Sequence, residues 1–149
     1  MKLAEALQER ADLNRRIAEL RSRLTDNALV QEGERPAEDP AGLMAELDRC
    51  ADELEHCIAK INLANCRTTV EGRTLTELLA RRDCLTLQIG AYRDLVSSAS
   101  QTARRARGTE IKVLSTVNVA ELQKKVDAMS RELRILDNTI QQANWTTEL

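Results

Sequence analysis

The sequence predicts an all-α protein, specifically an up-down-up-down four-helix bundle with long, coiled-coil-like helices. In four stretches apolar residues recur at alternating three- and four-residue steps, the spacing of one helix face. Ala, Glu, Lys, Leu and Arg make up roughly half of the chain, as in long helices. With no Phe, one Trp and one Tyr, the core must be aliphatic, which suits narrow seams between helices. We expect residues 1–149 to form a single helical-bundle domain.

The first helix is expected to run from Leu3 to about Asn27. One slot of its apolar stripe is occupied by Arg10, and the other positions are Leu3, Ala6, Leu13, Ile17, Leu20 and Leu24. The segment that follows contains Gly33, Pro36 and Pro40, which do not continue a helix.

The second helix is expected to begin at Pro40, because Asp39 before it can accept hydrogen bonds from free backbone amides. Its stripe consists of Leu43, Leu47, Cys50, Leu54, Cys57, Ile61 and Ala64. A second apolar row, Met44, Ala51 and Ile58, widens this face enough to contact more than one neighbour.

The third helix is expected to begin after Thr74, which forms a capping box with Glu77. It continues to about Ala99, with Arg82 in one apolar slot and with Leu79 and Leu95 outside the stripe. The fourth helix, capped by Asn118 with Glu121, has the clearest stripe of all: Leu122, Val126, Met129, Leu133, Leu136, Ile140 and Ala143.

A short two-stranded β-ribbon is expected at one end of the bundle. Residues 111–117 alternate with the two-residue period of a strand. Up-down topology brings residues 29–32 to the same end, so we expect these two segments to pair.

Charge and hydropathy exclude several classes of protein. The net charge of −2 gives no electrostatic footprint for nucleic acid. No signal peptide and no run of 18 apolar residues is present, so we expect a cytoplasmic protein without a membrane partner. The four cysteines lie in helical patterns and are expected to be reduced, buried hydrophobes.

No catalytic, cofactor or metal site stands out. Cys50 and Cys57 are two helical turns apart, about 10 Å, which is too far to share a zinc ion. The acidic residues of helices two and three are spread over several turns, whereas magnesium needs converging carboxylates. We expect a protein that is not an enzyme.

Two polar clusters are the nearest approach to a site. Arg10 and Arg82 fall at similar heights in an up-down bundle and form a possible polar layer that consists of Arg10, Glu55, Arg82, Asp83 and Asp137. In this layer the arginines either extend their heads into water, which we favour, or pair with carboxylates that fix helix register or surround a small anion. If the layer exists, removing Asp137 alone should destabilise the protein more than replacing Arg82 and Asp137 together.

The second cluster lies at the opposite end of the chain's helices from the expected ribbon. It consists of Asn62, Asn65, Arg73 and Trp145. We expect the Trp145 ring to cover the base of the core, so that Trp145→Ala would cost about 3 kcal/mol.

Several peptides together resemble the septicolysin family of small bacterial helical proteins. They are residues 30–40, 72–76, 82–83, 115–119, 122–123 and 136–147, and the resemblance covers essentially the whole chain. It implies an all-helical fold without an established activity, and the family name implies a pore-forming haemolysin.

Three functions therefore compete. The one we favour is a non-enzymatic structural or interaction protein that self-associates through surplus apolar surface, most simply as a homodimer with helices two and three at the interface. A membrane-active, pore-forming toxin is the second. The third is a small-molecule binder or hydrolase with a polar site between helices.

Overall fold

A computed structural model describes residues 1–101 and 111–149. It contains helices α1 (Leu3–Asp26), α2 (Pro40–Arg67), α3 (Leu75–Ala99) and α4 (Val119–Thr146), and strands β1 (Thr69–Val70) and β2 (Arg73–Thr74). The prediction of an all-α fold with four long helices is confirmed. The sequence also has a short basic run after the third helix, and its residues Arg104, Arg105 and Arg107 lie outside the described residues.

The helices begin where the capping residues predict. The side chain of Asp39 accepts a hydrogen bond from Ala41 N, and the Asn118 amide oxygen accepts one from Glu121 N at 3.1 Å. Thr74 and Glu77 form the expected capping box. Because each cap satisfies backbone amides that have no partner inside the helix, these helix starts are determined locally.

The two-stranded ribbon exists, but it is formed by other residues than expected. Strands β1 and β2 are joined by Glu71 and Gly72, whose φ angles are 51° and 81°. Two consecutive positive φ angles give a turn whose twist matches the flanking strands. Residues 29–32 and 111–117 form no strand, so the expected pairing of those segments is wrong.

By its internal contacts the chain divides into two compact units, which we call the first unit (Met1–Val70 with Ala143–Leu149) and the second unit (Glu71–Gln142). In the first unit α1 and α2 are antiparallel, since Cys57 Sγ contacts Ala6 O at 3.3 Å and Arg16 pairs with Glu46. Their seam buries Leu3, Ala6, Leu13, Leu20, Leu43, Cys50, Cys57 and Ile61.

The last residues of the chain complete the first unit. Leu3 N donates to Thr147 O at 2.9 Å, Leu149 N donates to Met1 O at 3.0 Å, and Lys2 and Glu148 form an antiparallel β-bridge. Among the described residues Asn144 is the one polar residue that is buried. Backbone hydrogen bonds thus hold the start of α1 to the residues after α4.

In the second unit α3 and α4 are also antiparallel. Their core cluster contains Leu85, Ile89, Val126 and Met129, with Tyr92, Val96 and Leu133 packed against it. At its edge the Lys125 ammonium donates to the Tyr92 hydroxyl at 2.8 Å and lies 4.3 Å from the centroid of the Tyr92 ring. Each fully buried Leu or Ile contributes roughly 1.5–3 kcal/mol of hydrophobic free energy.

The two units have similar sequences, a repeat that the periodicity of single helices does not reveal. Residues 72 positions apart, such as Leu3 and Leu75, are identical at many places in α1 and α3. The identical pairs are Leu3/Leu75, Glu5/Glu77, Leu7/Leu79, Arg10/Arg82, Leu13/Leu85, Ile17/Ile89 and Arg21/Arg93. Lys2 N and Thr74 N each donate to the glutamate three residues on, both at 2.7 Å.

Helices α2 and α4 repeat in the same way at a spacing of 79 positions. The identical pairs include Leu43/Leu122, Asp48/Asp127, Glu53/Glu132, Leu54/Leu133, Ile61/Ile140, Ala64/Ala143, Asn65/Asn144 and Thr68/Thr147. Thr68 N and Thr147 N each close their helix by donating to the alanine carbonyl four residues back, at 2.8 and 2.9 Å. A helical hairpin of one design therefore occurs twice. Residues at equivalent positions of the two hairpins can be compared directly.

Candidate functional site

Salt bridges fasten α1 to α2 and to the segment that leads into α2. Arg16 donates to Glu46, with Nε at 2.7 Å from Oε1, and Arg23 Nε donates to Glu38 Oε2 at 3.0 Å. The hydrogen bonds from these guanidinium groups lower the pKa of Glu46 and of Glu38. Both pairs are solvent-accessible, so each is a modest contributor to stability.

Glu148 makes a comparable contact at the chain ends. Hydrogen bonds from Lys2 and from the N-terminal ammonium lower its pKa, with Lys2 Nζ at 2.6 Å and the terminal nitrogen at 3.2 Å. The backbone amide of Thr74 likewise lowers the pKa of Glu77 in the capping box of α3.

These carboxylates predict how stability depends on pH. A carboxyl whose pKa is lower in the folded state binds fewer protons than it does when unfolded, so stability is fully present above the unfolded pKa of about 4.3 and is lost on acidification. We expect the free energy of unfolding, measured by urea titration, to fall as pH decreases from 5 to 3. Glu38→Gln and Glu46→Gln together should flatten this dependence. A free energy that rises on acidification would contradict the assignment.

The cysteines divide into two classes. Cys50 and Cys57 are buried in the seam, as expected, and burial raises the pKa of the Cys57 thiol. Cys66 and Cys84 are exposed, so their expected burial is wrong. Both lie on the outward side of their helices, where a small side chain faces solvent.

The residues of the possible polar layer are found at five solvent-accessible positions. In the first unit Arg10 is half-buried and Glu55 is exposed. In the second unit Arg82 Nε and Nη2 donate to Asp83 Oδ1, the residue next to it, at 3.1 and 3.0 Å. Asp137 is exposed. Solvent screens charges at such positions, and the layer itself stays a prediction.

Of the expected end cluster, the Trp145 ring is exposed where burial was expected, and the cluster itself stays a prediction. Helix α4 continues through Trp145 to Thr146, and 61% of the Trp145 surface is exposed. Asn62 and Arg73 are exposed and Asn65 is half-buried at the end of α2. The indole therefore does not cover the base of the core, because the helix carries it outward beside α1.

This placement revises the expected cost of removing the tryptophan. Trp145→Ala should lower the free energy of unfolding by about 1 kcal/mol or less, since an exposed side chain leaves no cavity. Chemical denaturation followed by far-UV circular dichroism measures the difference. A loss near 3 kcal/mol would mean that the ring carries core packing.

Trp145 and the outer face of α1 line an open groove of about 700 Å³, which we call the Trp145 groove. Its lining includes Ala4, Leu13 and Trp145 together with the charged side chains Glu5, Glu9, Asp12, Arg15, Arg16 and Glu19. Both arginines are already paired, Arg15 with Asp12 and Arg16 with Glu46. The lining also contains Gln8. The groove thus combines the apolar side chains of Ala4, Leu13 and Trp145 with an acidic rim, in which four carboxylates outnumber two arginines.

A second feature is the exposed row formed by Met44, Ala51 and Ile58, which we call the α2 apolar row. Residues seven apart lie along one side of a helix. Met44 is 51% and Ile58 37% exposed, and Ala51 is exposed as well. This row leaves apolar surface uncovered on the first unit, as the widened stripe of helix two predicts.

Within residues 1–101 and 111–149, no three His, Cys, Asp or Glu side chains converge as a metal site would require. No helix in this part of the chain has the length and apolarity needed to cross a bilayer. The Trp145 groove was missed by sequence reasoning because it depends on where the last turn of α4 lies. Its acidic residues recur along α1, but that spacing by itself is typical of any solvated helix face.

Comparison with known proteins gives a family and a structural relative. The chain is similar to a functionally unknown conserved protein from Corynebacterium diphtheriae, whose crystal structure superposes with a TM-score of 0.92 at 40% sequence identity. The match covers 100% of this chain and 98% of that one. No curated protein matches the chain. None of these findings supports the septicolysin resemblance. A model of the family of unknown function DUF6847 matches residues 10–149, and the chain belongs to that family.

Proposed function

We propose that this protein is a non-enzymatic interaction protein that self-associates through the α2 apolar row. The observation that carries the proposal is the exposure of Met44, Ala51 and Ile58 along one side of α2. Burying such a row against a second copy removes apolar area from water at about 25 cal/mol per Å².

The internal repeat supports the proposal, because each residue of the α2 apolar row can be compared with the residue at the equivalent position of α4. The residues of α4 that correspond to the α2 apolar row are Gln123, Ser130 and Asp137. The second unit therefore packs its helical hairpin with polar residues at these positions. Apolar residues there are not a requirement of the hairpin, and an interface is a reason for the first unit to carry them.

A two-fold dimer suits the row. If two α2 helices pack antiparallel across a two-fold axis near Ala51, Met44 of each copy contacts Ile58 of the other. Alanine at the axis permits an interaxial distance near 8 Å, the short end of the usual range. In the second unit, Leu95 of α3 is exposed and Leu79 is half-buried, and we propose that α3 also contributes apolar surface to self-association.

The test replaces the row by its counterparts in the repeat. We expect light scattering of the unaltered protein at micromolar concentration to give about twice the monomer mass of 16.7 kDa. The variant M44Q/A51S/I58D should give the monomer mass with an unchanged helical content. Leu63→Gln is the matched control, since Leu63 is 53% exposed on a different side of α2 and has Gln142 as its counterpart. An unaltered protein with the mass of a monomer would refute the proposal.

We further propose a cytoplasmic location. The exposed cysteines Cys66 and Cys84, which are outside disulfides, suit a compartment that keeps thiols reduced. The pore-forming alternative is not favoured, because no described helix is long and apolar enough to cross a membrane. Leakage of dye from liposomes at submicromolar protein concentration would support the pore-forming alternative.

A further inference from the structure

We propose that the Trp145 groove is a docking site for a cationic amphipathic helix of a partner protein. This inference concerns the outer face of α1 and does not depend on self-association through the α2 apolar row. It rests on three properties of the groove, which are its exposed tryptophan, its charge and its length.

Trp145 is the one tryptophan of a chain that has no phenylalanine, yet 61% of its surface faces solvent. Its counterpart in the repeat is Cys66, which has a small, exposed side chain in the last turn of α2. The hairpin design therefore does not need a large ring at this position. Tryptophan is the side chain most enriched among residues that dominate binding energy, and its indole face attracts cations.

The net negative charge of the groove favours a cationic partner. Glu9 and Glu19 form no salt bridge within the described part of the chain, and Glu5 accepts a hydrogen bond only from a backbone amide. The two arginines of the lining are neutralised by Asp12 and Glu46. In the repeat the counterparts of Glu9 and Glu19 are Arg81 and Ala91. The acidic rim is thus specific to the first unit, and it attracts lysine and arginine side chains.

The length of the groove fits a helix. Its lining extends along α1 from Ala4 to Glu19, which spans roughly 22 Å at the α-helical rise per residue. Amphipathic helices dock on surfaces that combine apolar and charged side chains. Here the apolar residues of the partner helix would contact Ala4 and Trp145, and its cations would contact the acidic rim. The open shape gives little enclosure to a small molecule, most of whose surface must be buried to bind.

Because the chain has a single tryptophan, its fluorescence emission reports on the Trp145 groove. We would titrate it with a synthetic helical peptide of about 15 residues that contains leucine on one face and lysine on the other. A matched peptide has glutamate in place of every lysine. We expect a saturable blue shift of the tryptophan emission with the lysine peptide, weakened by added salt, and none with the glutamate peptide. An unchanged emission, or equal binding of both peptides, would overturn the proposal.

Two variants with the same change in charge separate docking from general attraction. E9R/E19A places the residues of the repeat in the groove and should weaken binding at least about tenfold. E34R/E32A makes the same change in the loop between α1 and α2 and should bind as the unaltered protein does. Equal weakening in both would show a nonspecific charge effect and refute the site. Circular dichroism checks that each variant folds.

The titration also distinguishes the partner from a second copy of this chain. If the groove were filled by another copy, the emission would shift with protein concentration before any peptide is added, and that result would overturn the partner proposal. The variant M44Q/A51S/I58D should bind the lysine peptide unchanged. Failure of the docking site and failure of self-association therefore give different results.

Discussion

Leu85→Ala should lower the free energy of unfolding by about 3–4 kcal/mol, one of the largest effects we expect from a single substitution in this chain. Leu85 is fully buried between α3 and α4, in the cluster with Ile89, Val126 and Met129. Its truncation removes apolar contacts and leaves a cavity that helix packing only partly refills. Urea denaturation at neutral pH, followed by far-UV circular dichroism, measures the loss.

Leu87→Ala is the matched control. The residue is of the same type and lies two positions further along α3, but 74% of its surface is exposed. Its truncation should change the free energy of unfolding by less than about 0.5 kcal/mol. Similar losses for the two alanine variants would mean that α3 faces its partner helix with a different side.

Ile61→Ala and Ile140→Ala should each cost about 3 kcal/mol, because the repeat places both isoleucines at the same position of their hairpins. Ile61 lies in the seam of the first unit and Ile140 on α4 of the second, and both are buried. Since the two environments share one design, we expect the losses to agree within about 1 kcal/mol. The same denaturation experiment compares them.

A conservative series tests whether the cost follows cavity size. Ile61→Val and Ile140→Val should each lose about 1 kcal/mol, as expected for removing one methylene group. A large loss at one isoleucine and none at the other would show that the two hairpins pack their cores differently in spite of their matching sequences.

Much of the secondary structure was predictable from local signals. Asp39 with Pro40, Thr74 with Glu77, and Asn118 each start a helix within one or two residues of where the sequence indicates. These signals work at short range, because a cap bonds to amides of its own first turn. The ribbon lies elsewhere than predicted, because the two-residue turn at Glu71 and Gly72 pairs β1 with β2, whereas the alternating apolar residues at 111–117 form no strand.

The candidate site was predictable only in part. The α2 apolar row could be anticipated, since three apolar residues seven apart widen a stripe beyond what one partner helix covers. The Trp145 groove could not. A tryptophan near the end of a chain is as compatible with a buried cap as with an exposed ring, and the last turn of α4 decides between them.

The sequence by itself determined four long helices, their starting residues and, through the recurring pairs such as Leu13/Leu85 and Ile61/Ile140, a hairpin design used twice. These properties follow from capping bonds and from periodicity along single helices. Only the tertiary structure decided which apolar and thiol side chains are exposed. Cys50 is buried and Cys66 exposed on the same helix, because solvent exposure depends on which side of a helix another part of the chain covers.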